Sequence, residues 1–188
     1  MITFSSTKRS SPRGGRCVVG EEVFEAIRRE AEPYYRHSHH DRFHVERVYK
    51  LALRIAGEVG QPVDLEVLRA AVLLHDVART MEDEGLVDDH AREGARIAHE
   101  ILRRVGFPRD RIEKVAYCTE VHRFKSGVKP ETIEAQILQD ADRSDMLGAV
   151  GVARVSREPA GRTRPSTTRA DHPNRPTTGA RRQRLTTS

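Results

Sequence analysis

The chain has no tryptophan, two cysteines, 5% aromatic residues and no long apolar run, and each scarcity removes a class of protein. A spanning helix needs roughly 18 apolar residues in succession, and no stretch comes near that, so an integral membrane protein is excluded. Cys17 and Cys118 are too few for a disulfide framework and are not spaced as a metal knuckle, which points to a reducing, cytoplasmic setting. The first seventeen residues lack the apolar core of a secretory signal. With so few aromatics there is no basic stripe interleaved with stacking rings, the pattern that single-stranded nucleic acid would require.

What is present fits one globular domain: 188 residues, 37% hydrophobic and 32% charged, with a net charge of +5. A sequence pI of about 9.5 invites a nucleic-acid partner, but the charge is not spread evenly. Residues 1–17 carry four basic side chains and no acid, and residues 156–188 carry eight arginines against Glu158 and Asp171, which leaves −5 on residues 18–155. Both ends are poor in large aliphatics, and little buried area would offset the entropy of ordering them. They read as a disordered basic extension (1–17) and a disordered or divergent basic tail (156–188), with nucleic acid at most a weak, tail-mediated partner.

Between residues 18 and 155 the apolar residues recur at helical spacing with no sustained alternation of period two, which predicts an all-α, bundle-like domain of about six helices. The expected spans are 21–35, 42–59, 64–78, 89–105, 110–122 and 130–154. Gly60 and Pro62 close the second, Asp64 caps the third, and Pro130 opens the sixth. The acid-rich segment RTMEDEGLVDD reads as a connection.

Nine histidines are unevenly placed. His75 continues the apolar face of the most hydrophobic helix, and Asp76 follows it directly; burying both is costly without a partner such as a metal ion. A lone His-Asp pair would more simply be a helix cap and a salt bridge. Three further helices, however, each carry a histidine on or beside their apolar stripe: His44, His90 and His122. On the last predicted helix, Asp142 and Asp145 share a face with Leu138, while Asp140 shares one with Ile133 and Ile137. Carboxylates set in apolar periodicity suggest ligation or support of the ligating histidines.

The segments FHVERVYKLA, AVLLHDVA and ILQDADRSDMLGAVGVAR, in that order, resemble the HD-domain superfamily of metal-dependent phosphohydrolases, and most of all its small stand-alone bacterial members, over residues 21–155. By position, the resemblance implies His44, His75, Asp76 and Asp142 as metal ligands, with Asp140 the rival to Asp142. It places His90 and His122 where relatives serve a second metal or contact substrate phosphate. It also implies hydrolysis of a phosphoester or phosphoanhydride, of a nucleotide by preference, by a metal-activated water, with Asp76, His90 and His122 in catalytic roles. The tail departs from the resemblance after GVAR, as does Ser144, where leucine is usual. That keeps a second reading in play, a catalytically silent protein that binds nucleotide or metal for regulation.

The residue types argue further. Imidazole and carboxylate without thiolate suit Mn, Fe, Co, Ni or Zn better than Mg. Phosphoryl transfer demands cationic stabilisation, for which Arg47, one turn past His44, and Arg123 and Lys125, after His122, are the candidates, with Arg79 beyond His75. His90 or His122, titrating near neutrality, would serve as general acid.

Overall fold

The computed structural model describes residues 18–35, 41–123, 127–148 and 151–152. The expectations for the basic extension, for the tail and for Lys125 fall outside those residues. The described residues form no strand. They fold into α1 (Glu21–Ala31), α2 (Arg42–Glu58), α3 (Leu65–Leu74), α4 (Arg79–Asp83), α5 (His90–Arg104), α6 (Arg109–Val121) and α7 (Ile133–Ser144). Six of these have ten residues or more and α4 has five, so the all-helical expectation holds.

Helix α3 is the axis of the fold. Its residues Val67, Leu68 and Ala70 to Leu74 are all buried, and it packs against α1, α2, α5, α6 and α7. A helix apolar all round must be enclosed by others. Around it the core is filled by Phe24, Ile27, Ile101, Leu102, Ile137 and Leu138, each fully buried and worth about 1.5–3 kcal/mol of transfer free energy. Side-chain caps start the helices: Asp64 accepts from the Val67 amide at 3.3 Å, Asp89 from Ala91 at 2.9 Å, and Asp41 from His44 at 2.9 Å.

The boundaries differ from expectation in four places, each with a local cause. The first helix stops at Ala31 and tightens into a 3-10 turn over Glu32–Tyr34, because Pro33 has no amide proton to continue the ladder. The third ends at Leu74, and the chain turns through residues 75–78, with the Val77 amide donating to Leu74 O at 3.3 Å and Arg79 to Asp76 O at 3.0 Å. The acid-rich connection contains the short helix α4. The last helix begins at Ile133, where the Thr132 hydroxyl accepts from the Ala135 amide, and ends at Ser144 instead of running to 154. Asp145 caps it, the chain turns through 145–147, and helical residues recur at 148, 151 and 152, with Gly148 at φ 75°. Ser144, where the resemblance has leucine, is half-buried at that last position.

Candidate metal centre

The centre is assembled from helix ends. His44 is the third residue of α2, set by the Asp41 cap. His75 caps the C-terminus of α3, and its Nδ1 donates to Val72 O at 2.8 Å. Because α3 stops there, Asp76 lies in the turn, not about 100° away round a helix, and neighbours in sequence can face one point. His90 opens α5. His122 caps α6, donating from Nδ1 to Thr119 O at 2.6 Å. Asp142 lies in the final turn of α7. Gly94 of α5 faces the turn after α3, and a Cβ added there would sit in ordinary contact, 3.4 Å from the Thr119 methyl and 3.5 Å from His75 O.

These side chains form two clusters that share Asp76. In the first, His44 Nε2 lies 3.4 Å from Asp76 Oδ2, 3.2 Å from Asp142 Oδ1 and 3.4 Å from His75 Nε2. His75 Nε2 lies 3.2 Å from the same Asp76 oxygen and 3.9 Å from Asp142 Oδ1. In the second, Asp76 Oδ1 stands 3.6 Å from both His90 Nε2 and His122 Nε2. The four rings run edge to face in the order His44, His75, His122, His90, with centroids 5.3–5.4 Å apart. All four histidines and Asp76 are buried, while Asp142 keeps a quarter of its side chain open to solvent. Asp140 is exposed, and it is Asp142 that stands beside His44 and His75.

The donor set fits a divalent metal. Ligand atoms about 2.0–2.2 Å from a common ion stand roughly 3.0–3.6 Å from one another, and the separations in the first cluster scatter around that range. Each cluster also brings together three donor atoms all within 4.8 Å of one another. Burial pushes the His44 imidazole down, but hydrogen bonds to Asp142, Asp145 and Asp76 outweigh it and raise the pKa to about 10. His122 is likewise raised, burial being outweighed by Asp76. His90 is lowered, mainly by burial, and stands neutral at pH 7.

The arginines expected at the mouth lie on carboxylates. Arg47 donates from Nε to Asp145 Oδ1 at 2.6 Å and from Nη2 to Oδ2 at 3.0 Å. Arg123 pairs with Glu82 at 2.9 Å, and Arg79 with Glu82 at 3.1 Å and Asp83 at 3.3 Å. Asp145, read from the sequence as one of the carboxylates that ligate or support a histidine, stands behind His44. Glu82 was hidden inside a segment read as a loop.

An all-helical domain that converges histidines and aspartates from five helix ends, with a shared central aspartate, is a metal-centre protein of the kind the resemblance implied. The chain belongs to the HD-domain family, whose pattern matches residues 43–147. A predicted HD superfamily hydrolase from an uncultured Thermotogales bacterium is 37% identical and superposes with a TM-score of 0.58, over 72% of this chain and 73% of its own. A Lactobacillus plantarum protein of known structure is 30% identical with a TM-score of 0.59, over 74% of this chain and 63% of its own. The uncharacterized protein YpgQ of Bacillus subtilis (strain 168) is 31% identical over 122 residues, 63% of this chain and 56% of its own length. The chain spans less than two thirds of the curated relatives it matches. Among the described residues no helix is long and apolar enough to cross a membrane.

Proposed function

We propose that this protein is a cytoplasmic metal-dependent phosphohydrolase that cleaves a phosphoester or phosphoanhydride, with a nucleotide as the small phosphorylated substrate. The observation that carries the reading is the division of one buried carboxylate: Asp76 offers Oδ2 to His44 and His75, and Oδ1 to His90 and His122. His44, His75, Asp76 and Asp142 would hold a first divalent ion of the Mn, Fe, Co, Ni or Zn type, and Asp76, His90 and His122 a second. Ions so held supply Lewis acidity toward a phosphoryl oxygen and bring the pKa of water toward neutrality.

The chain's own groups do the rest. The neutral His90 is ready to ligate, whereas His44 must give up a proton, so binding of metal releases a proton. Asp142, the most open member of the first cluster, marks the side from which substrate and water enter. Arg47, with 36% of its side chain exposed, and Arg123 hold the substrate phosphate from that rim, and Lys125 is assigned to the same role from its place in the sequence alone.

The test is a hydrolysis screen over nucleoside mono- and triphosphates with Mn, Co, Ni and Mg in turn, alongside metal analysis. Turnover with a transition ion is expected, and Asp76→Ala should lose both metal and activity, since one carboxylate serves both clusters. Full activity in that variant, or no metal in folded wild type, contradicts the proposal. A silent, regulatory binder is the second reading, favoured by the engagement of Arg47 and Arg123 with Asp145 and Glu82. Bound nucleotide with no turnover on any ion would decide for it.

A further inference from the structure

Each cluster orients its histidines by the same two devices. One histidine is fixed by its own backbone: His75 Nδ1 donates to Val72 O, and His122 Nδ1 to Thr119 O, each three residues back at a helix end. The other is fixed by a carboxylate from a distant element. His44 Nδ1 donates to Asp145 Oδ2 at 2.8 Å, and His90 Nδ1 pairs with Glu82 Oε2. The two carboxylates are themselves held alike. In Asp145, Oδ2 is shared between His44 and Arg47 Nη2 while Oδ1 takes Arg47 Nε. In Glu82, Oε2 is shared between His90 and Arg79 while Oε1 takes Arg123.

We propose that Asp145 and Glu82 are the positioning carboxylates of this centre, Asp145 for the His44 half and Glu82 for the His90 half, each kept in place by its arginines. A ligating imidazole whose far nitrogen donates to a carboxylate has its tautomer and ring plane fixed with Nε2 toward the ion, and it becomes a better donor. Neither carboxylate is a ligand: both stand behind a ring whose Nε2 faces Asp76. The two act separately, because Asp145 follows α7 and Glu82 lies in α4, and the second cluster draws nothing from α7. The assignment rests on the two-ion reading above.

The experiment is a titration of EDTA-stripped full-length protein with Co2+, followed by visible absorption and by metal content after desalting. Wild type should show two steps. Asp145→Asn should weaken one step about 10- to 100-fold and leave the other, and Glu82→Gln should do the converse. Melting of the metal-free variants controls for folding. If Asp145→Asn fails to fold, Arg47→Gln, which reaches His44 only through Asp145, should weaken the same step by a smaller factor. Unchanged affinities in either variant, or loss of both steps together in a folded variant, overturns the assignment. A single step in wild type overturns the part assigned to Glu82, and no binding at all in wild type defeats the two-ion reading itself.

Discussion

His122 has two possible offices, and its hydrogen bonds separate them. Its Nδ1 is committed to Thr119 O, so Nε2 alone faces Asp76, and that atom can carry a proton or meet an ion but not both. Beside Asp76 its hold on a proton is strengthened, and a second ion would compete with that proton for Nε2. His122→Gln is therefore expected to bind one equivalent of metal fewer, with activity down at least 100-fold. Retention of both equivalents with a fall in kcat alone would instead make His122 the general acid, an effect typically of 10²–10⁴. Most of this was legible at the level of residues: His44, His75, His90, His122 and Asp142 lay on or beside apolar stripes, and all of them converge. What periodicity could not supply was the choice between Asp140 and Asp142, because both lie one turn from aliphatics and only the rotation of α7 against α2 exposes one and turns the other toward His44. Nor could it assign Arg47, whose place one turn past His44 fits a phosphate and Asp145 equally well.

At the scale of elements, helix existence was readable and helix ends were not, and the ends are where the site is. Stopping α3 at Leu74 lets His75 and Asp76 face the same point, and stopping α7 at Ser144 puts Asp145 at the cap beneath His44. Such ends are set by local turns and caps that hydrophobic periodicity does not record. Gly94 of α5 faces the α3 turn, and its contact distances yield a graded expectation. A methyl at 3.4 Å from Thr119 and 3.5 Å from His75 O is ordinary contact, and alanine is about 1 kcal/mol better than glycine inside a helix. Gly94→Ala should thus melt at or slightly above the wild-type temperature and bind metal normally. Gly94→Val adds branches where no space remains, should cost about 1–3 kcal/mol by overpacking, and should weaken metal binding by pushing on the carbonyl of His75. Calorimetry and the Co2+ titration on both variants check this, and equal tolerance of valine would contradict the close approach.

For the whole molecule, the basic pI describes residues at the two ends, whereas the described middle is acidic and holds its carboxylates around imidazoles. That arrangement makes stability depend on pH in opposite directions on the two sides of the ordinary histidine value. His44 keeps its proton to about pH 10 in the folded, metal-free protein, against about 6.5 in an unfolded chain. Its contribution is complete below about pH 6.5 and is lost as pH rises from there through 10, because the unfolded chain releases a proton that the folded one retains. His122, also raised, acts in the same direction. His90 is shifted the other way, so its contribution is present above about pH 6.5 and fades as pH falls and the unfolded chain takes up a proton that folded His90 refuses. The stability of EDTA-treated protein should therefore peak near pH 6.5 and decline on both sides. With excess metal the protons on His44 and His122 are displaced, so the alkaline decline should vanish and metal affinity should climb with pH over the same interval. Melting temperatures from pH 5 to 9.5, with EDTA and with Mn2+, measure both curves; a metal-free curve that stays flat above pH 6.5 would mean that His44 is not held between the three aspartates.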